Sequence, residues 1–211
     1  MPARLVPQLL RGDLVDVLYQ HTADRAEYRF GKRIASLDES ADSVEVTFTD
    51  GVTLSVDLVV GADGPHSTVR RLVFGPEERF VRPLGGYHAW FTTPDSVGFD
   101  GWLLMYQAPR LHASMRPSHD PALSKAALAF RSEPIAYDRG NLDEQRALLA
   151  DRFSGAGWQC DTLLQAASYA EDFYFDAFAG EHADVFAGPS DAVGDAGYRA
   201  CPLRGGDAAL Y

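Results

Sequence analysis

The segment Asp57 to Arg71, DLVVGADGPHSTVRR, constrains the fold of this chain more than any other. Leu58, Val59 and Val60 form an unbroken aliphatic run, as expected of a strand covered on both faces. Gly61, Asp63, Gly64 and Pro65 end that run abruptly. Ser67 with Thr68 can then cap a helix that carries Val69, Leu72 and Val73 on one side. Free backbone N–H groups and a carboxylate at such a joint suit a hydroxylated, phosphate-bearing ligand, the N–H groups for phosphate and the carboxylate for hydroxyls. On the residues alone, a structural turn that binds nothing is the equal alternative.

Two further segments carry possible chemistry. VGDAGYRACPLRGG, Val193 to Gly206, combines a Gly-Asp pair with a proline and a glycine-rich bend. LLRGDLVDVLYQHT, Leu9 to Thr22, has Leu10, Leu14, Val17 and Leu18 at helical spacing and reads as an amphipathic helix facing a core.

Around these, alternating patterns set out the organisation. Glu27 to Asp57 reads as short strands broken at Glu39 to Asp42 and at the Asp50-Gly51 turn, a strong hairpin signal. After the Gly75-Pro76 break, Tyr87 to Thr92, Trp102 to Gln107, Leu111 to Arg116 and Lys125 to Phe130 read as strands of an antiparallel sheet. Leu142 to Phe153 and Asp161 to Ala170 read as helices, and Asp172 to Ala179 as a returning strand.

Asp57 to Arg70 resembles, position by position, the second fingerprint of the class A FAD-dependent monooxygenases, or flavoprotein aromatic hydroxylases. Val193 to Gly206 resembles that family's later flavin segment. The resemblance implies an α/β fold: a partial FAD/NAD(P)-binding Rossmann-like domain with an antiparallel-sheet substrate domain inserted. The divisions are residues 1–75, 76–175 and 176–211. It implies that Asp63 and Gly64 lie by the FAD pyrophosphate and take part in handling NAD(P)H, and that Arg70 is structural. Gly194 and Asp195 match the pair whose carboxylate binds a ribitol hydroxyl. Pro202, Gly205 and Gly206 match the bend that opens a long helix toward the flavin ring, where a helix N-terminus favours the anionic reduced ring. Arg11 matches an arginine that reaches the pyrophosphate.

In the same family the middle sheet is the substrate domain and roofs a pocket over the flavin, so Tyr87, Trp90, Met105, Met115 and Phe130 are the candidate substrate contacts. Aromatic and methionine side chains at alternating positions also read simply as core. The implied activity is hydroxylation or epoxidation of an aromatic or polyketide-like small molecule with FAD, NAD(P)H and O₂, needing no protein nucleophile. Two alternatives share the fold: a catalytically inactive remnant or binding module, and a non-oxygenating FAD-dependent reductase. A halogenase would be expected to carry WxWxIP, which the chain lacks.

The chain also departs from the family pattern. No GxGxxG occurs in it, and the helix resembling the one that follows the family's first βαβ unit begins within about ten residues of Met1. Ala208 to Tyr211 gives barely one turn of the helix expected after the bend. The expectation is a chain truncated at both ends. Asp207 stands where a second bend glycine is usual, and Pro189 and Asp191 are poor residues for the strand before Gly194.

Composition narrows the setting. A net charge of −11 leaves no basic stripe for nucleic acid. No run approaches the roughly 20 apolar residues of a membrane span, and MPARLVPQLLRG lacks a signal peptide's apolar core. Cys160 and Cys201 form no CxxC and read as free thiols of a reducing, cytoplasmic compartment. The six histidines, His21, His66, His88, His112, His119 and His182, have no ligand spacing, so no metal site is expected. No GxSxG elbow is present.

Overall fold

A computed structural model describes residues 11–95, 98, 102–182, 186–187, 190–192 and 198–199. Pro83–Ala179 belongs to one compact unit, and Pro7–Arg82 with Gly180–Ala200 to the other.

The second of these opens with helix α1, Arg11–Thr22. Thr22 Oγ1 closes its end by donating to the Leu18 carbonyl at 2.7 Å. None of its residues is buried, and Leu14, Val17 and Leu18 are exposed. The expected packing of this apolar stripe on a core is therefore absent among the described residues. Three antiparallel strands follow, β1 (Ile34–Glu39), β2 (Val44–Phe48) and β3 (Thr53–Val56), in the order β1-β2-β3. The β2–β3 hairpin turns at Asp50-Gly51, where Gly51 has φ +83° and Phe48 N–H donates to the Val52 carbonyl at 2.9 Å. Period-2 alternation puts Val44 and Val46 inward. They pack with Val59 and Val69, and with Val56 and Val73 at the margin, in a small aliphatic core.

Val59 and Val69 come from the segment that opened the sequence analysis. Strand β4 is Val59–Gly61 and helix α2 is Thr68–Val73. Val59 is buried, but Leu58 and Val60 are about half exposed, at 52% and 51%. The expectation of cover on both faces is thus corrected: β4 is an edge strand among the described residues, with one sheet neighbour and one covered face.

The other unit is a sheet backed by two helices. Strands β5 (Val81–Pro94), β6 (Leu104–Ala108), β7 (Leu111–Pro117) and β8 (Leu123–Arg131) lie in the order β5-β8-β7-β6, each neighbouring pair antiparallel. Helices α3 (Leu142–Phe153) and α4 (Cys160–Tyr169) follow. Asn141 caps α3, its side-chain oxygen accepting from Glu144 N–H at 3.2 Å. Arg146 on α3 closes the carbonyl end of α4, donating to Ala167 and Ala170 at 3.0 and 3.2 Å. Strand β9, Tyr174–His182, then joins the sheet beside β5.

One face of this sheet and the helices enclose the main core. Tyr87, Ala89 and Phe91 from β5, Ala113 and Met115 from β7, and Ala126, Leu128 and Phe130 from β8 meet Leu149, Phe153, Leu163 and Ala167. Cys160 is a free, buried thiol in the same core, and burial together with the Asp161 charge raises its pKa, so it stays protonated.

Beyond β9 the chain forms β10 (Phe186–Ala187), β11 (Ser190–Ala192) and β12 (Tyr198–Arg199). β12 pairs antiparallel with the end of β9, Tyr198 opposite His182. β11 pairs parallel with β4, with Ser190, Asp191 and Ala192 opposite Val59, Val60 and Gly61. The segment judged a poor strand from Asp191 is therefore a strand, because ladder hydrogen bonds use the backbone and ask little of three side chains. Pro189 lies outside the described residues.

Candidate functional site

Parallel pairing fixes direction. Because Gly61 and Ala192 end β4 and β11 opposite one another, the chain leaves both strands at the same edge. In open sheets, ligands bind outside the carboxyl ends of parallel strands. The turn beginning at Asp63 leaves that edge. Gly194 and Asp195 follow β11 in sequence but lie outside the described residues, as do Pro202, Cys201, Gly205, Gly206 and Asp207.

The turn itself is tightly built. Gly64 has φ +82°, a left-handed angle that disfavours any side chain. A Cβ there would meet nothing within 4 Å, so the angle rather than crowding demands glycine, and the surface over the turn is open. That openness fits close approach of a phosphate to the backbone. Asp63 behaves differently from a ligand-facing carboxylate. Its Oδ2 accepts from the N–H groups of Thr68 and Val69 at 2.6 and 3.1 Å, and its Oδ1 accepts from the Ser67 hydroxyl. Both oxygens are turned to the start of α2, where a negative charge satisfies unpaired N–H groups. Ser67 completes the cap by accepting from Arg70 N–H at 2.9 Å. Arg70 is 1% exposed, and its Nη2 donates to the Pro65 carbonyl at 2.5 Å, which locks the far side of the turn. Arg11 is an exposed residue at the start of α1.

The sheet unit offers a second surface, the face of β5–β8 turned away from α3 and α4. The candidate substrate residues divide between the two faces. Tyr87, Met115 and Phe130 are 5%, 1% and 1% exposed in the helix-backed core. The Tyr87 hydroxyl accepts from Ile135 N–H at 2.7 Å, and its ring stacks on Phe130 and Phe175. These three are corrected from substrate contacts to core residues, because strand alternation turns odd positions of β5 and β7, and even positions of β8, toward the helices.

Trp90 and Met105 have the opposite parity and are 46% and 62% exposed. Pairing sets them on one rung across four strands: Trp90 opposite Ala127, Ala127 opposite Ser114, Ser114 opposite Met105. The small Ser114 and Ala127 form a floor between two large apolar side chains. His88 lies on the neighbouring rung, packed edge to ring with Trp90 and close to Phe178, their ring centroids 6.3 and 4.6 Å away. His112 and Arg116 lie on this face too, either side of Ser114. Burial lowers the His112 pKa, so the imidazole is neutral at neutral pH. The sequence analysis singled out none of Ser114, Arg116 and Ala127; only the sheet register, combined with strand parity, marks them.

Among the described residues no group of three or more His, Cys, Asp or Glu could hold a metal ion, and no helix is long and apolar enough to cross a membrane.

Comparison with known proteins bears on both surfaces. The profile of a family described as "FAD binding domain" matches residues 4–129. An uncharacterised protein of Mycobacterium tuberculosis is 41% identical over 199 residues, covering 94% of this chain and 54% of that protein. A flavin-dependent monooxygenase of Legionella longbeachae is 36% identical, covering 94% and 51%. The crystal structure of the tetracycline destructase Tet(51) superposes with a TM-score of 0.85 at 34% identity, covering 93% of this chain and 53% of that one. The chain thus spans about half the length of these relatives.

Proposed function

Since this chain belongs to the FAD binding domain family, among the FAD-dependent monooxygenases, we propose that it forms the flavin-edge and substrate-face parts of a monooxygenase acting on a planar aromatic or polyketide-like small molecule. The observation that supports this reading is the parallel pairing of β4 with β11, which brings the strands that precede the two fingerprints side by side, ending at one edge. On this reading the open turn at Gly64 lets backbone approach the FAD pyrophosphate, and Asp195 accepts a hydrogen bond from a ribitol hydroxyl. Gly194, Pro202, Gly205 and Gly206 shape the backbone beside the ring, and Arg11 meets the pyrophosphate from its helix.

Bound FAD would supply the redox chemistry, taking electrons from NAD(P)H and activating O₂. The chain's own residues bind, orient and exclude water. Asp63 fixes α2 and the turn rather than touching the cofactor, and Arg70 holds the Pro65 carbonyl behind it. Trp90 and Met105 flank the substrate's apolar body over Ser114 and Ala127. No side chain is assigned as acid, base or nucleophile, consistent with chemistry that resides on the cofactor. The setting of this reading is the cytoplasm, with both cysteines reduced.

The test is visible absorbance of the purified chain after dialysis against excess FAD. Retained oxidised-flavin bands support the reading, and NAD(P)H oxidation with candidate aromatic substrates then tests the oxygenase step. A colourless protein removes flavin binding by this chain.

A further inference from the structure

The open face of the sheet has a layout that its apolar floor does not explain. Along β7, His112, Ser114 and Arg116 occupy one column, and the two ends of that column stand about 14 Å apart at strand rise. Across the strands, Trp90 and Met105 are three strand spacings apart, also about 14 Å. The floor between them is Ser114 and Ala127. Two walls are therefore apolar and two ends polar.

Both polar ends hold nitrogen atoms with no hydrogen-bond partner among the described residues. His112 Nδ1 and Arg116 Nε are shielded from solvent and have no hydrogen-bond partner. Shielding a donor without a partner is unfavourable, and such a group in a folded protein calls for an explanation. For Arg116 the lack of a carboxylate is pointed. Acidic residues outnumber lysine and arginine 30 to 19 in this chain, yet no ion pair to Arg116 occurs among the described residues. Its cross-strand neighbour Lys125 is already engaged, with Asp172 Oδ2 at 3.2 Å and Thr92 Oγ1 at 2.6 Å. Among the described residues, Arg116 is a partly buried guanidinium without a counter-charge, at the end of an apolar basin.

We propose that Arg116 anchors the substrate: the basin takes an elongated, planar, polycyclic molecule whose ionised oxygen, a carboxylate, phenolate or enolate, sets on the Arg116 guanidinium. Its rings lie over Ser114 and Ala127 between Trp90 and Met105, and His112 meets a polar group at the other end. A guanidinium reads such an oxygen through charge-assisted hydrogen bonds that a neutral end group cannot match. The neutral imidazole of His112 offers one donor and one acceptor and suits a hydroxyl or carbonyl. This inference rests on the reading of the open face as the substrate face.

The test is titration of the whole chain with anthraquinone-2-carboxylate and with uncharged 2-methylanthraquinone, followed by quenching of tryptophan fluorescence. The carboxylate is expected to bind about tenfold or more tightly than the neutral ring. Arg116→Gln abolishes that preference while leaving the neutral ligand within about twofold, since that ligand carries no ionised oxygen for the guanidinium to hold. Arg116→Lys, which keeps the charge, retains part of the preference. If the native chain binds both ligands alike, or Arg116→Gln keeps the preference, the anchoring role is overturned and the open face remains a binding surface. If neither ligand binds, the anchoring role and the reading of the face fall together, whereas flavin absorbance still reports separately on the β4 edge.

Discussion

Gly64 and Asp63 act in opposite senses within one turn. Gly64 is needed for a backbone angle and leaves its surface open, whereas Asp63 turns its carboxylate inward to the start of α2. Gly64→Ala must place a side chain at φ +82°, a conformation that costs an L-residue about 1–2 kcal/mol. Thermal or urea unfolding is expected to show a loss of that size, and an unchanged midpoint would mean the turn relaxes to another conformation. The glycine and the cap were legible in the order Asp-Gly-Pro-His-Ser-Thr. The direction of the Asp63 carboxylate was not, because a capping aspartate and a ligand-binding one look identical in sequence. Only the distances to Thr68 and Val69 separate them.

At the scale of elements, the strands and helices were largely legible. α3 runs over Leu142–Phe153 as expected, and β5, β7 and β8 each contain their expected segments. Alternation announced those strands but not which parity faces the helices, so Tyr87, Met115 and Phe130 could not be told from Trp90 and Met105 beforehand. The elements are also cross-linked by a polar junction invisible in sequence. Just before β9, Asp172 accepts from Thr92 N–H at 2.7 Å, from Thr92 Oγ1 at 2.5 Å and from Lys125 Nζ at 3.2 Å, tying β9 to β5 and β8. Burial opposes ionisation of this carboxyl, but the hydrogen bonds from Thr92 and the Lys125 charge outweigh it and hold the pKa below the ordinary carboxylate value. A depressed folded-state pKa gives stability that is present above the unfolded value, about 4, and lost as pH falls through the folded value. Asp172→Asn is therefore expected to be less stable than the native chain at neutral pH, by an amount that shrinks as pH falls below about 4. The junction is partly exposed, which keeps the difference near 1 kcal/mol or less. A stability difference independent of pH would show that the ionised carboxylate is not what holds β9.

For the whole molecule, the most specific prediction concerns a residue that follows β11. Asp195→Ala removes the acceptor assigned to a ribitol hydroxyl and is expected to weaken FAD binding about tenfold, in line with loss of one charge-assisted hydrogen bond. Fluorescence titration with FAD measures it, and unchanged affinity would dissociate Asp195 from the cofactor. The strands of the antiparallel sheet, the turn chemistry, the net acidity and the family resemblance were legible in sequence alone, since each depends on residue types and on neighbours along the chain. Tertiary structure decided that, among the described residues, β4 is an edge strand with one parallel neighbour and α1 keeps its apolar stripe exposed, and that Trp90, Ser114, Ala127 and Met105 share a rung. The physical reason is that register and burial arise from contacts between distant segments, and side-chain parity acquires a meaning only once one face of the sheet has been covered.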